Sequence, residues 1–210
     1  MLKLNEVNTF AKEKLSGRLQ YSTERIIAEI EKNGTSIRND YLSKFDALFK
    51  LCISQQQNEE KKKAAFIHIF YLQSALYTEK FELQFQVLDK MSYLDKAECR
   101  ELWRPEPFIT YYLEDMKWFE QEAYQQIVGF GYPQIMDIKK KYYTVYLGIV
   151  GQFFIKEAAH IAGLSSFDEM AKEETLQIIF GGYMDRGVQI WPPLEVKVED
   201  SVQGGGHEVF

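Results

Sequence analysis

Residues 133–162 repeat apolar side chains at the three- and four-residue spacing of an α-helix. The stripe consists of Ile135, Ile138, Tyr142, Val145, Ile149 and Phe153. Gly163 follows at the position that a C-terminal cap glycine takes. An unbroken helix here would be ~45 Å long, and helices of this length usually form the spine of a bundle. Gly148 and Gly151 each cost a helix ~1 kcal/mol relative to Ala, so the sequence leaves its continuity open.

The same period predicts helices elsewhere in the chain. We expect them over residues 5–32, 59–77 and 107–128, with a short one over residues 167–173. A further helix follows the cap residues Thr35 and Ser36 and runs to about residue 52. The pair Asn33-Gly34 predicts a stop between the first helix and this one. Residues 64–76 are apolar nearly all round, which is typical of a buried central helix.

Short stretches have strand character instead. In residues 81–88, apolar side chains alternate with glutamate and glutamine, which is the two-residue period of a strand. The apolar runs at about 175–180 and 187–191 flank a glycine-rich turn and predict a β-hairpin that could pair with that strand. The predicted fold is therefore mostly α, an all-alpha helical bundle of five to six helices with a small antiparallel β element. We expect residues 1–193 to form a single helical domain and residues 194–210 to form a C-terminal tail.

The charge balance restricts the partners that we expect. With 31 Asp and Glu against 25 Lys and Arg, the formal charge is −6, which disfavours nucleic acid and favours a basic protein. The longest apolar stretch, residues 142–155, falls short of the ~20 residues of a membrane span, so no membrane partner is expected. Residues 1–10 lack a signal-peptide pattern, and Cys52 and Cys99 form no C-x-x-C pair. These features predict a cytoplasmic protein with two free core cysteines.

Residues 107–128 have a second face beside their apolar stripe. It contains Tyr111, Glu114, Asp115, Trp118 and Glu122. Aromatic anchors with charged neighbours are typical of a partner-binding surface. The same pattern also fits an ordinary polar face whose Trp118 packs against another element. Partner contact is further predicted for the C-terminal Phe210, because a free carboxylate and an apolar ring suit strand addition to a partner's sheet edge.

Histidine offers the remaining candidates. His68 lies in the apolar run 66–70, where a hydrogen-bonded core histidine is the ordinary interpretation. Together with Tyr71 and His160 it could instead line a ligand pocket. Glu157 and His160 have the Glu-x-x-His spacing of di-iron bundle proteins. Such a site needs a second copy of the motif and the chain has only three histidines, so we expect neither a metal nor another cofactor.

The sequence contains no G-x-S-x-G, H-E-x-x-H or C-x-x-C motif and no phosphate-binding glycine loop. We therefore expect a non-catalytic protein that acts by binding another protein, as an adaptor, an inhibitor, a chaperone-like or an immunity-type protein. Two alternatives stay open. One is a helical small-molecule-binding protein or enzyme with a cavity near His68 and His160, and the other is a structural subunit of a larger assembly.

Overall fold

A single long helix opens the structure, a computed structural model that describes residues 4–193, with side chains from Glu6 onward. This helix, α1 (Leu4–Gln57), continues through Asn33 and Gly34, so the predicted stop there is wrong. The Asn33 amide donates a hydrogen bond to Glu29 one turn earlier (Nδ2–Oε1 2.8 Å) and does not cap the helix. At 1.5 Å per residue, the 54 residues of α1 extend over ~80 Å.

The largest difference from the predicted fold lies at residues 59–77. The structure has a strand there, β1 (Ala64–Tyr71), and a helix of four residues, α2 (Ala75–Thr78). β1 is the central strand of the sheet and is buried along most of its length. A strand buried on both faces is apolar all round, as a buried helix is, so hydrophobic periodicity does not distinguish the two. The interpretation of this segment as a central helix is therefore wrong.

The sheet has five strands in the order β3-β2-β1-β4-β5. The four further strands are β2 (Leu83–Leu88), β3 (Arg100–Trp103), β4 (Lys172–Gly182) and β5 (Gly187–Trp191). β1 pairs in parallel with β4, and all other neighbouring strands are antiparallel. The strand predicted at 81–88 is present as β2, and the predicted hairpin is present as β4 and β5. The hairpin pairs with β1 and not with β2, because β1 lies between them.

The protein therefore has an α/β fold with a five-stranded mixed sheet, and the prediction of an all-alpha helical bundle with a small antiparallel β element is wrong. The remaining helices are α3 (Glu106–Gln126), α4 (Tyr132–Ala162) and α5 (Ser165–Glu169). The two long helices predicted at 107–128 and 133–162 are confirmed, and α4 continues through both of its glycines. A Cβ on Gly151 would lie 3.1 Å from the Phe180 ring, so glycine there lets α4 approach β4 closely.

The long helices pack against one face of the sheet, which we call the inner face. Phe45 of α1 stacks on Phe85 of β2 with 4.1 Å between ring centroids, and Phe154 of α4 lies 6.0 Å from the same ring. Phe180 of β4 continues this cluster through its contact with Phe154. Side chains alternate along each strand, so the neighbouring residues point to the opposite, outer face. Among the described helices, none combines the length and the apolar character needed to cross a membrane.

Candidate functional site

The predicted partner-binding residues of α3 lie against the first half of α1. The Arg25 guanidinium donates to Glu114 (Nη1–Oε2 3.1 Å) and lies 4.5 Å from the centroid of the Tyr111 ring. Contacts of the same kind follow along the two helices: Arg18 over Trp118 at 5.1 Å, and Lys14 to Glu122 at 3.3 Å. The cationic partners of these aromatic and acidic residues are therefore side chains of α1 in the same chain.

Asp115 lies inside the protein, with a side chain that is 0% exposed. Its carboxylate accepts four hydrogen bonds, from Arg18 Nε (3.0 Å), Ser22 Oγ (2.9 Å), Tyr142 OH (2.7 Å) and Tyr146 OH (2.8 Å). Burial raises the pKa of both tyrosines, and the adjacent carboxylate raises it further, so both hydroxyls stay protonated donors. Asp115 therefore joins α1, α3 and α4 and offers no surface to a partner.

The three residues of the predicted ligand pocket are not brought together. His68 points to the outer face of the sheet, as the alternation of β1 requires. Tyr71 lies on the inner face, where its ring is 5.9 Å from Phe180, and lines a separate cavity of about 290 Å³ beside α4. His160 lies near the end of α4. The predicted contact through Phe210 lies outside the described residues.

His160 belongs to a polar cluster that attaches α4 to α1. Its Nδ1 lies 3.2 Å from Glu157, which also accepts two hydrogen bonds from Arg38 (2.7 and 2.9 Å) and one from Tyr41 (2.6 Å). Burial alone would raise the pKa of Glu157, but the hydrogen bonds from Arg38 and Tyr41 outweigh it and lower the pKa. Within the described part of the chain, no group of three or more His, Cys, Asp or Glu side chains could hold a metal ion.

The outer face has a row of aromatic side chains at its centre. Phe66, His68 and Phe70 project from β1, and the His68 ring lies 5.9 Å from Phe66 and 4.6 Å from Phe70. Next to them in the register are Gln86 of β2 and Ile179 of β4, both opposite His68. An imidazole thus stands in the middle of the central strand, between a polar and an apolar neighbour.

Two connections close over this row. The β2–β3 loop contains a 3-10 helix (Ser92–Leu94), which places the Tyr93 ring 5.9 Å from His68. The turn between β4 and β5 places Tyr183 5.4 Å from Phe70 and 5.7 Å from Tyr93. Each connection has a non-glycine residue with positive φ: 53° at Ser92 and 56° at Met184. Such backbone conformations cost about 1–3 kcal/mol and cluster at functional sites.

A buried ion pair fixes the β2–β3 loop. Lys61 Nζ contacts Asp95 Oδ2 at 2.6 Å and donates to the Ala97 carbonyl at 2.8 Å, and both charged side chains are almost completely buried. The Asp95 carboxylate also accepts from the backbone N–H groups of Asp89 and Ala97, each at 3.0 Å. These contacts hold the loop that carries Tyr93 in one position.

The loop, the turn and the strands enclose a cavity of about 240 Å³. His68 lines it and is only 7% exposed, yet its Nδ1 has no hydrogen-bond partner among the described residues, and the same holds for Oε1 of Gln86 on the adjacent strand. Burial lowers the pKa of His68 to about 4, so the imidazole is neutral at physiological pH. Buried polar atoms are normally paired with protein or ordered water, so the unpaired His68 beside a cavity marks a candidate position for a bound group.

Exposed apolar side chains border the same face. They are Met91 and Leu94 in the β2–β3 loop, Leu102 on β3, and Tyr183 and Met184 in the β4–β5 turn. Leu102 is opposite Gln84 in the register and so lies on the outer face. Scattered exposed apolar residues are normal, but a group around one face is typical of an interaction site.

Ser92 and Asp185 line the cavity together with His68, which raises the question of a Ser-His-Asp triad. A triad requires a histidine hydrogen-bonded to both other members. His68 Nδ1 has no partner among the described residues, and its pKa is lowered by burial with no opposing contribution from a carboxylate. The arrangement therefore supports binding and not triad chemistry.

The comparisons with known proteins add no further assignment, because no family model, curated protein or solved structure matches the chain. The sequence analysis singled out His68 but missed its neighbours Gln86, Tyr93, Tyr183 and Asp185. The alternation of residues 81–88 was a usable signal for Gln86, once residues 66–70 are recognised as the strand beside it. No sequence signal identifies the two tyrosines, because the loops place them by long-range contacts.

Proposed function

We propose that the protein is a non-catalytic binding protein that recognises another protein, basic in character, through the outer face of its sheet. The observation that carries this proposal is the cavity on that face, where Nδ1 of the buried His68 has no hydrogen-bond partner within residues 4–193. A free chain tolerates such an atom only at a cost of about 1–3 kcal/mol, which a bound group would recover.

The surroundings of the cavity support recognition of a macromolecule. Its exposed apolar border extends beyond the cavity onto β3 and both connections, which is more surface than a small ligand would cover. The buried pair of Lys61 and Asp95 holds one wall in place, and a preorganised surface loses less entropy on binding. A basic partner fits the formal charge of −6.

The face of α3 predicted from the sequence is the less favourable surface. Tyr111, Glu114, Trp118 and Glu122 already contact cations of α1, and a partner would have to displace them. A second groove, of about 460 Å³, lies between α1 and α4, and its rim includes Lys141. That lysine is paired with Asp137 at 2.6 Å, and no unpaired buried polar atom is found among the described residues of this groove.

The test is capture of the partner from the native cells with the tagged protein and two aspartate variants. Leu102→Asp places a charge on the outer face, whereas Val128→Asp makes the same change at a residue that is 94% exposed and follows α3. We expect the first variant to lose the stoichiometric partner and the second to retain it. Retention by both would refute the outer face as the binding surface, and loss on changing Arg25 and Trp118 would assign binding to the α1–α3 surface.

A small-molecule-binding protein is the second candidate, supported by the concave cavity that Tyr93 and His68 line. It predicts that a metabolite raises the melting temperature of the wild-type protein but not of the His68→Phe variant. Saturation a hundredfold above the dissociation constant adds about 2.7 kcal/mol to the free energy of unfolding. Such a shift without any protein partner would favour this candidate.

A further inference from the structure

We propose that the occupant of the His68 cavity is the guanidinium group of an arginine side chain of the partner protein. This inference rests on the proposed function, since it names the chemistry of the group that the outer face recognises. It follows from three properties of the cavity: its charge, its hydrogen-bonding capacity and the shape of its walls.

The charge of the cavity suits a cation. Among the residues that the structure describes, no lysine or arginine lines the cavity, and Asp185 is the one acidic side chain that does. Oδ1 of Asp185 accepts from the backbone N–H of Arg186 at 2.7 Å. Tyr93 on the cavity wall is close enough to be affected by this carboxylate. Burial raises the pKa of Tyr93, and the negative charge of Asp185 adds to that increase. His68 is neutral at physiological pH and so does not oppose a bound cation.

The hydrogen-bonding capacity is mainly that of an acceptor. On the cavity wall, a neutral imidazole has one acceptor nitrogen, and the Asp185 carboxylate has two acceptor oxygens, of which Oδ1 already accepts from the Arg186 N–H. A guanidinium has five N–H donors and no acceptor, so it complements these groups. A carboxylate or phosphate would find no cationic donor among the described lining residues and would be repelled by Asp185.

The walls favour a planar cation over a compact one. The rings of Phe66, Phe70 and Tyr93 line the cavity together with His68. Arginine stacks its flat, weakly hydrated head group on aromatic faces, whereas the ammonium of lysine is a strongly hydrated point charge. Arginine is also among the residues that dominate the energetics of protein interfaces. These properties together select arginine among the cationic side chains.

The test uses the full chain, labelled with ¹⁵N, and three capped amino acids as probes: the N-acetyl amides of arginine, citrulline and lysine. Citrulline keeps the planar shape of arginine but has no charge. Binding is followed by NMR at the imidazole nitrogens of His68, assigned with the His68→Phe variant, and at the amide of Gly181. We expect saturable shifts with the arginine probe, and binding at least about fivefold weaker with citrulline and lysine.

Two matched variants test the contribution of the carboxylate. Asp185→Asn should weaken binding of the arginine probe about twofold to fivefold, as expected for a solvent-exposed charge pair. Asp168→Asn removes the same charge from an exposed position on α5 and should leave binding unchanged. Equal affinity for arginine and citrulline, or no shift with arginine, would overturn the inference.

Failure of this inference and failure of the proposed function are distinguishable. If the arginine probe does not bind but Leu102→Asp still abolishes partner capture, the outer face is the binding surface and its occupant is another group. A capped tryptophan that produces the His68 shifts would then identify a neutral aromatic anchor. If the arginine probe binds but Leu102→Asp and His68→Phe both retain the partner, the cavity has the proposed chemistry and the proposed function is wrong.

Discussion

Replacement of Asp115 tests whether the buried carboxylate joins three helices. Asp115→Ala removes the acceptor of four hydrogen bonds and leaves Arg18, Ser22, Tyr142 and Tyr146 without it. Hydrogen bonds to charged groups contribute about 1.5–3 kcal/mol each, but they are not additive. Loss of one partner of a buried ion pair costs about 3–5 kcal/mol, and we expect a decrease of this size in the free energy of unfolding.

The structure also predicts smaller losses of stability for two related variants. Asp115→Asn keeps the side-chain volume and one acceptor oxygen, and the tyrosine hydroxyls can rotate to accept from its amide, so we expect a loss of about 2 kcal/mol. Glu114→Ala changes the adjacent carboxylate, which is 46% exposed and paired with Arg25. An exposed pair contributes at most about 1 kcal/mol, so this variant is the matched control.

Urea unfolding followed by circular dichroism measures these differences, provided that the slope m stays constant across the variants. A domain of this kind is stable by about 5–15 kcal/mol, so Asp115→Ala should shift the midpoint by a large fraction of its value. An Asp115→Ala protein within about 1 kcal/mol of the wild type would refute the assigned role. So would a Glu114→Ala protein that is destabilised as strongly as Asp115→Ala.

Three further predictions follow from buried groups and helical glycines. Because the pKa of His68 in the folded protein is lowered to about 4, the unfolded chain binds the proton first, and stability is lost as the pH falls from about 6.5 to about 4. By pH 5 the loss in the free energy of unfolding is about 2 kcal/mol, and His68→Phe should remove this part of the pH dependence in unfolding titrations. Lys61→Met leaves Asp95 buried without its cation and should cost about 3–5 kcal/mol, measured by urea unfolding, whereas replacing both residues by apolar ones should cost less. Gly148→Ala should raise the free energy of unfolding by about 0.5–1 kcal/mol, because an added Cβ meets no atom there. Gly151→Ala should give no such gain, because its Cβ would press on the Phe180 ring of β4, and thermal melts of both variants test the difference.

The elements with one polar and one apolar side were predictable from the sequence. α3 and α4 bury one stripe and expose the other, so their period is visible, and their predicted bounds differ from the structure by at most two residues at either end. β2 alternates because its inner face packs on Phe45 and its outer face presents glutamines. β1 was not predictable in this way, since both of its faces are covered and its composition has no period.

The candidate site was harder to predict because its parts meet only through long-range pairing. His68 and Gln86 become neighbours through the register of β1 with β2. Tyr93 reaches them because the Lys61–Asp95 pair fixes its loop, and nothing in the local sequence indicates that pair. The surroundings of the α3 face were hidden for the same reason: its aromatic and acidic residues are matched by cations on α1, far away in the sequence.

The buried carboxylates on the helical side of the sheet are paired, whereas the outer face has an unpaired buried histidine beside a cavity, and this contrast supports the outer face as the binding surface. On the helical side, Asp115 accepts four hydrogen bonds, and Glu157 accepts three and also contacts His160. These carboxylates join α1 to the other helices and leave nothing for a partner to satisfy. On the outer face, His68 Nδ1 beside the cavity and Gln86 Oε1 on the adjacent strand have no hydrogen-bond partner among the described residues. Gln55 Oε1 on α1 and Ser166 Oγ on α5 are also unpaired among the described residues, but neither residue lines one of the cavities given above. His68 is therefore the unpaired group that a molecule bound in a cavity would reach, which favours the outer face.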